Sequence, residues 1–355
     1  MRVLQLIDSL NSGGAERMAV NYANMLVENN ASFICTTRSE GLLKTNIKNN
    51  VGYLFLNKKH ALDFIAIKRL NTYIKNNNIN IIHAHSTSFF TGTLVKISNR
   101  KVKLIWHDHY GNSHFLNERP LKVLRWCSTK FEAIICVNET LKQWAKQNLK
   151  CKNVSFFNNF VTINNNEKKQ TNLKGNEGKR VVCLANLRPQ KDHFMLLDAF
   201  KEVVKLDDEW TLHLVGNDNK DSYSFAIKEK INTLKLNDNI FVYGSKSDVY
   251  HILKQSDIGV LSSKSEGLPL ALLEYGLAKL PVVATSVGDC SKVITKVEEG
   301  ILVESGDYKA FSKAIQGYIN NKDLRQLKGE ALYKNVEANF SDKFVKKQLK
   351  EIYTN

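Results

Sequence analysis

Twice along this chain, short β-rich runs alternate with helical patterns, and no other feature restricts its fold as tightly. In the first half the runs are Val3–Ile7, Phe33–Thr36, Ile79–His83, Leu104–His107, Ile134–Val137 and Val154–Phe157, with amphipathic stretches such as Arg17–Glu28 and Phe64–Asn76 between them. In the second half they are Val181–Ala185, Thr211–Val215, Ile240–Tyr243, Ile258–Leu261, Val282–Thr285 and Ile301–Val303, separated by helical patterns that include Phe194–Leu206 and Val249–Gln255. Strand–helix alternation predicts a parallel sheet covered by helices on both faces. Two such series predict an α/β protein with Rossmann-like domains over 1–165 and 179–340. A polar linker over 166–178 joins them, and 341–355 forms a closing helix. The two domains are expected to face each other across a cleft. Ligands of such sheets bind beyond the carboxyl ends of the strands. His107, Arg188, Gly216, Gly244 and Glu266 all end or follow a strand run.

Composition narrows the class. At 355 residues, 43% hydrophobic and 24% charged, the chain has room for two globular domains. No apolar run approaches the ~20 residues that span a bilayer. Met1–Asp8 is short and soon acidic, so it reads as a first buried strand rather than a signal peptide. The six cysteines (35, 127, 136, 151, 183 and 290) show no Cys-x-x-Cys spacing, which fits free thiols in a reducing cytoplasm and no zinc site. The net charge of +16 is uneven: residues 1–165 carry 22 Lys+Arg against 9 Asp+Glu. A basic half suggests an anionic partner, such as the inner face of a membrane; a generally basic proteome would give the same bias.

The densest motif is Ser265-Glu266-Gly267-Leu268-Pro269-Leu270-Ala271-Leu272-Leu273-Glu274, directly after an apolar strand. It reads as strand, glycine-containing loop and helix, with Pro269 suited to the first turn. A helix N-terminus there offers free N–H groups and a positive dipole end to a phosphate. Glu266 lies on the loop and Glu274 one to two turns into the helix, so one carboxylate can meet a sugar and the other a ribose. Two glutamates alone would be unremarkable at a helix start. They come with Gly13-Gly14-Ala15-Glu16-Arg17 after the first strand, Ile81-Ile82-His83-Ala84-His85 and His107-Asp108-His109 in the first half, and Ala185-Asn186-Leu187-Arg188-Pro189-Gln190-Lys191-Asp192 opening the second. His213–Gly216, Phe241–Gly244 and Ser256–Ser262 follow in order.

In this order and spacing the chain resembles the retaining GT-B glycosyltransferases of family 4, the glycosyl transferases group 1 proteins, over nearly its whole length. The resemblance implies a GT-B fold with a C-terminal helix returning to the N-terminal domain. It also implies transfer of a sugar from a nucleotide-sugar donor, UDP-linked in this reading, without a cofactor or metal. The acceptor would be a lipid-linked or growing polysaccharide. By the same resemblance Glu274 holds the ribose, Glu266 touches the donor sugar and aids catalysis, and His107 lies near the transferred sugar. Lys191 neutralises the departing diphosphate. Gly13, Gly14, Gly216, Gly244, Gly267 and Leu268 approach the donor through their backbone. The chain departs from the family where Asn186 stands at the usual arginine position, and Arg188 is the candidate to replace it, with a solvated loop as the alternative. Val287-Gly288-Asp289-Cys290-Ser291 also departs from the family's glycine-pair loop, which leaves that loop's donor contacts open.

Two basic surfaces stand outside this pattern. On the expected helix Leu121–Phe131, Lys122, Arg125, Trp126 and Lys130 share the face opposite Leu121, Leu124, Cys127 and Phe131, an arrangement suited to an anionic membrane surface or acceptor. Lys142, Lys146 and Lys150 form a second stripe at four-residue spacing. The alternative activities are a nucleotide-sugar epimerase of the same architecture and a basic nucleic-acid-binding protein, although no nucleic-acid motif is present.

Overall fold

Seven parallel strands, β1 (Arg2–Ser9), β2 (Ala31–Ser39), β3 (Gly52–Phe55), β4 (Ile81–His85), β5 (Lys103–Asp108), β6 (Ala133–Cys136) and β7 (Val154–Phe156), form the first sheet in the order β3-β2-β1-β4-β5-β6-β7. The structure, a computed structural model, describes residues 1–11, 13–111, 116–161 and 169–354, with only the backbone at Lys343. Helices α1 (Gly14–Leu26), α2 (Phe64–Asn76), α3 (Phe89–Ser98), α4 (Lys122–Cys127) and α5 (Glu139–Asn148) cover this sheet. The second sheet has six parallel strands, β8 (Arg180–Leu184), β9 (Thr211–Val215), β10 (Ile240–Gly244), β11 (Ile258–Leu261), β12 (Val282–Thr285) and β13 (Ile301–Val303), ordered β10-β9-β8-β11-β12-β13. Its helices are α6 (His193–Val204), α7 (Ser222–Thr233), α8 (Val249–Lys254), α9 (Leu270–Leu277), α10 (Cys290–Val293), α11 (Tyr308–Ile319) and α12 (Lys322–Asn339). The chain closes with α13 (Asp342–Thr354).

Central strands such as β11 and β12 are buried along their whole length, which is why they read as nearly continuous apolar runs rather than alternating ones. Local chemistry starts the helices. Asp63, Asn138, Asp192, Asp221, Asp307 and Asn321 each accept the backbone N–H three residues on. Both sheets reverse strand order once, between β1 and β4 and between β8 and β11. At the second reversal Tyr275 of α9 ties the diverging strands together: its hydroxyl accepts from Leu184 N–H at 2.7 Å and donates to the Val260 carbonyl at 3.0 Å.

The chain divides into two compact units, Met1–Phe160 with Asp342–Asn355, and Val161–Ser341. The terminal helix belongs to the first. Val345, Leu349 and Tyr353 of α13 are buried there, and the Tyr353 hydroxyl lies 2.7 Å from His83 Nδ1. Of the expected linker, residues 166–168 lie outside the described residues, and Lys169–Gly178 is irregular.

Three local expectations are corrected. Strand β3 was not anticipated: it is a four-residue edge strand opening on Gly52, where any side chain would strike the Phe33 ring. The Leu121–Phe131 helix is shorter, α4 giving way to a 3-10 turn at Ser128–Lys130. The lysine stripe does not hold together, because α5 ends at Asn148, before Lys150, and Lys142 pairs with Glu139 at 3.1 Å.

Candidate active site

Where β8 and β11 part, two loops leave their carboxyl ends and are stitched to each other. Ser262 Oγ donates to the Lys191 carbonyl at 2.8 Å, and Lys264 N–H donates to the Gln190 carbonyl at 2.8 Å. Lys264 Nζ stands 3.3 Å from Asp192 Oδ2. At the centre, Lys191 Nζ donates to Glu266 Oε1 at 2.5 Å, and Ser263 Oγ donates to the same oxygen at 2.5 Å. Glu266 is only 8% exposed at its side chain, so this pair is held with little solvent screening. The two residues assigned separate tasks from the sequence are thus direct partners, at the carboxyl edge where sheets of this type bind ligands.

A third loop fixes the glutamate from above. Gly288, after β12, has φ +54, and a Cβ there would collide with the Glu266 carbonyl. Asp289 N–H donates to the Gly267 carbonyl at 3.1 Å. Thr285 Oγ1 donates to the Ser263 carbonyl at 2.6 Å. Gly288, Ser263 and Thr285 were missed as positioning residues; their sequence signal is no more than a strand end followed by a small residue. Asp192, with φ +46, was missed as the cap of α6, although an Asp before an apolar helical pattern is a recognisable start.

The other expected donor residues are distributed as follows. Gly267 is exposed with open space at its Cβ position, and Leu268 buries its side chain, leaving only its backbone to a ligand. Helix α9 begins at Leu270, one residue after Pro269, and Glu274 is its fifth residue, partly exposed. Gly244 has φ +69, and open space surrounds its Cβ position. Gly216 is required by packing, because a side chain there would run into the Ala185 carbonyl. Asn186 Oδ1 accepts from Asn217 N–H at 2.8 Å, so the residue at the family's arginine position is used on the backbone. Arg188 is exposed and makes no ion pair among the described residues.

In the first unit the expectations fare differently. Gly13 caps α1, but the Glu16 carboxylate fills the space a Gly13 Cβ would take, so this helix start already carries an anion. Gly14 is the first residue of α1. His107 is 1% exposed, and neither ring nitrogen has a hydrogen-bond partner. His107 lies near the end of β5 with its ring buried, and His109, partly exposed, is the outermost of the group.

His83, His85 and His107 bring ring nitrogens within 4.8 Å of one another, a spacing that invites a metal. Their orientation does not fit one. The His83 and His107 rings are stacked at 5.2 Å and 6°, so their in-plane lone pairs run side by side instead of converging on an ion about 2.0 Å from each. Both nitrogens of His85 are already used, Nε2 donating to Gln5 Oε1 at 2.8 Å and Nδ1 accepting from His109 Nε2 at 3.0 Å. Burial holds His83 and His109 down to about 3, and burial with neighbouring imidazoles holds His85 and His107 well below the usual value. The cluster is a stack of neutral rings.

The basic surface is carried by α4 and the 3-10 turn that follows it. Lys122, Arg125, Trp126 and Lys130 are exposed, Trp126 at 50%, while Leu124 and Cys127 are buried. No helix among the described residues is long and apolar enough to cross a membrane.

Two parallel-sheet α/β units with these strand orders, each with one reversal, form a GT-B fold. HepE from Anabaena, solved with UDP and glucose, superposes with a TM-score of 0.81 over 100% of both chains at 17% identity. The glycosyl transferases group 1 profile matches residues 164–335 and the glycosyltransferase family 4 profile residues 12–164. The chain belongs to the group 1 glycosyltransferases. Relatives include the amylovoran biosynthesis glycosyltransferase AmsD of Erwinia amylovora, 24% identical over 99% of both chains. A second is the Escherichia coli UDP-Gal:alpha-D-GlcNAc-diphosphoundecaprenol alpha-1,3-galactosyltransferase, 23% identical over 88% of this chain and 86% of that one. Further relatives are named for capsular polysaccharide biosynthesis in Staphylococcus aureus and O-antigen biosynthesis in Escherichia coli.

Proposed function

We propose that the chain transfers a hexosyl group from a UDP-sugar, with retention of configuration, to a lipid-linked or growing polysaccharide acceptor at a membrane surface. The observation that carries this reading is the Lys191–Glu266 pair at the β8/β11 reversal. A diphosphate arriving beside Lys191 competes with Glu266 for its ammonium. Once Lys191 turns to the phosphate, the Glu266 carboxylate is released to accept from hydroxyls of the donor sugar, still held by Ser263. The cation then meets the charge that grows on the leaving group, where it lowers the barrier most. Gly267 and Leu268 offer backbone N–H groups at the start of α9, Glu274 accepts from the ribose, and Arg188 adds a second, mobile cation. The imidazole stack supplies no nucleophile, in keeping with front-face attack in which the departing phosphate takes the acceptor proton.

The UDP-Gal donor and diphosphoundecaprenol acceptor in the name of the E. coli relative support this choice of substrates, as does UDP in the HepE crystal. The test is a panel of UDP-hexoses, with and without polyprenyl-diphosphate saccharide, in the presence of EDTA. Acceptor-dependent formation of an α-linked product from an α-linked donor is expected, undiminished by chelation. Epimerised sugar nucleotide without acceptor would identify the epimerase instead, and activity lost to EDTA and restored by a divalent ion would overturn the metal-free mechanism.

A further inference from the structure

Among the described residues of the first unit, the most solvent-exposed apolar group lies away from α4, at the start of α2. Phe64 and Ile65 are 75% and 76% exposed, and Leu62 just before them is 54% exposed. Three large apolar side chains presented together to water need a reason. The turn that carries them is firmly built. Asp63 accepts from Ala66 N–H with Oδ1 and from Lys59 N–H with Oδ2, each at 3.0 Å, closing the loop onto the helix. Arg69, one turn on, donates to the Leu56 and Phe55 carbonyls at 3.2 Å. Leu62, Phe64 and Ile65 are therefore held outward by hydrogen bonds on either side.

The surroundings are cationic. Lys59, His60 and Lys68 are exposed beside the apolar triplet, and Asp63 is the sole acid between Asn57 and Arg69. Helix α2 packs on α3, and α3 on α4. Helices α2 and α4 both start toward the carboxyl edge of the sheet, so the triplet and the Lys122 end of the basic surface lie toward the same edge.

We propose that Leu62, Phe64 and Ile65 form a wedge that inserts into the interfacial region of an anionic bilayer, with Lys59 and Lys68 seated on its headgroups. The inference rests on the membrane-surface reading above and adds to it the element that enters the lipid. Charge on α4 would bring the protein to the surface, and the wedge would fix the carboxyl edge of the sheet against it, where an acceptor carried in the membrane arrives.

The test uses the full chain and vesicles of phosphatidylcholine with or without 30% phosphatidylglycerol, a composition chosen on the order of biological anionic content. The parent should sediment with anionic vesicles. The Leu62→Ser/Phe64→Ser/Ile65→Ser variant should keep its melting temperature, since these side chains pack on little, and bind about a hundredfold more weakly, as expected for losing several partly inserted apolar groups. A dye on Phe64→Cys should shift to the blue on vesicles, and the described native cysteines, all buried, leave it the accessible thiol. A serine variant that binds as the parent does, or a dye that stays in water, overturns the wedge while leaving the membrane reading standing. A parent that binds no vesicle overturns both, and self-association abolished by the serine variant would reassign the patch to a second copy of the chain.

Discussion

Lys191 and Glu266 show how a residue's role depends on its partner. Removing Lys191 leaves a largely buried carboxylate facing Ser263, which costs about 3 kcal/mol of stability, the low end for a broken buried pair. Lys191→Ala should therefore lower the melting temperature and reduce kcat/KM by far more than it weakens UDP. Glu266→Gln keeps the Ser263 contact and the shape, and should restore most of the stability in the double variant while leaving turnover low. Calorimetry with UDP and steady-state kinetics on the three variants separate these effects. An unchanged kcat in Lys191→Ala would remove the lysine from the leaving-group site. Glu274→Ala belongs to the same scale. It should raise the UDP Kd by roughly 1.5–3 kcal/mol, the worth of a hydrogen bond to a charged group, and leave the stability effect of Lys191 untouched.

At the scale of elements, the active loop is shaped by its neighbours more than by its own sequence. The turn after β12 crosses the Glu266 carbonyl at a point where only glycine fits, with φ +54. Gly288→Ala combines a left-handed backbone with a collision, so it should push the Glu266–Gly267 segment aside. Activity should fall at least tenfold, with a loss of stability of about 1–3 kcal/mol. Gly306→Ala, at φ +87 but with open space around it, is the control: it should cost stability alone. Equal activity loss in both variants would show that backbone strain, and not displacement of Glu266, is responsible.

Five buried imidazoles and the half-buried His109 couple the stability of the whole molecule to pH. His83, His85, His107 and His109 in the first unit and His193 and His213 in the second all have folded values below the ordinary one, chiefly through burial, at about 3 for His83, His109 and His213 and about 4 for His193. Between those values and about 6.5 the unfolded chain binds more protons than the folded one. Stability is therefore full above about pH 6.5 and declines as pH falls below it, by up to about 1.4 kcal/mol per pH unit for each group. Urea midpoints should drop steeply from pH 7 to pH 5, and His83→Gln with His107→Gln should flatten that slope. A midpoint independent of pH over this range would mean the imidazoles are not buried as described.

The sequence alone determined the two parallel sheets, because a strand covered on both faces must be apolar along its length and its crossover helix must be amphipathic. It also located the Glu266–Glu274 loop and the exposed cations Lys122 and Arg125 of α4, although the helix ends before Lys130. It could not show β3, whose edge position leaves a short run broken by Gly52. Nor could it show that Lys191 and Glu266, 75 residues apart in sequence, meet as an ion pair, or that His107 is sealed in a ring stack and Gly216 is needed for packing. Those facts depend on which strands become neighbours and how closely their loops cross, and on burial fixed by segments as distant as α13. Local pattern chooses the elements, while the solvation and pairing of each charged group are decided only when non-local surfaces close around it.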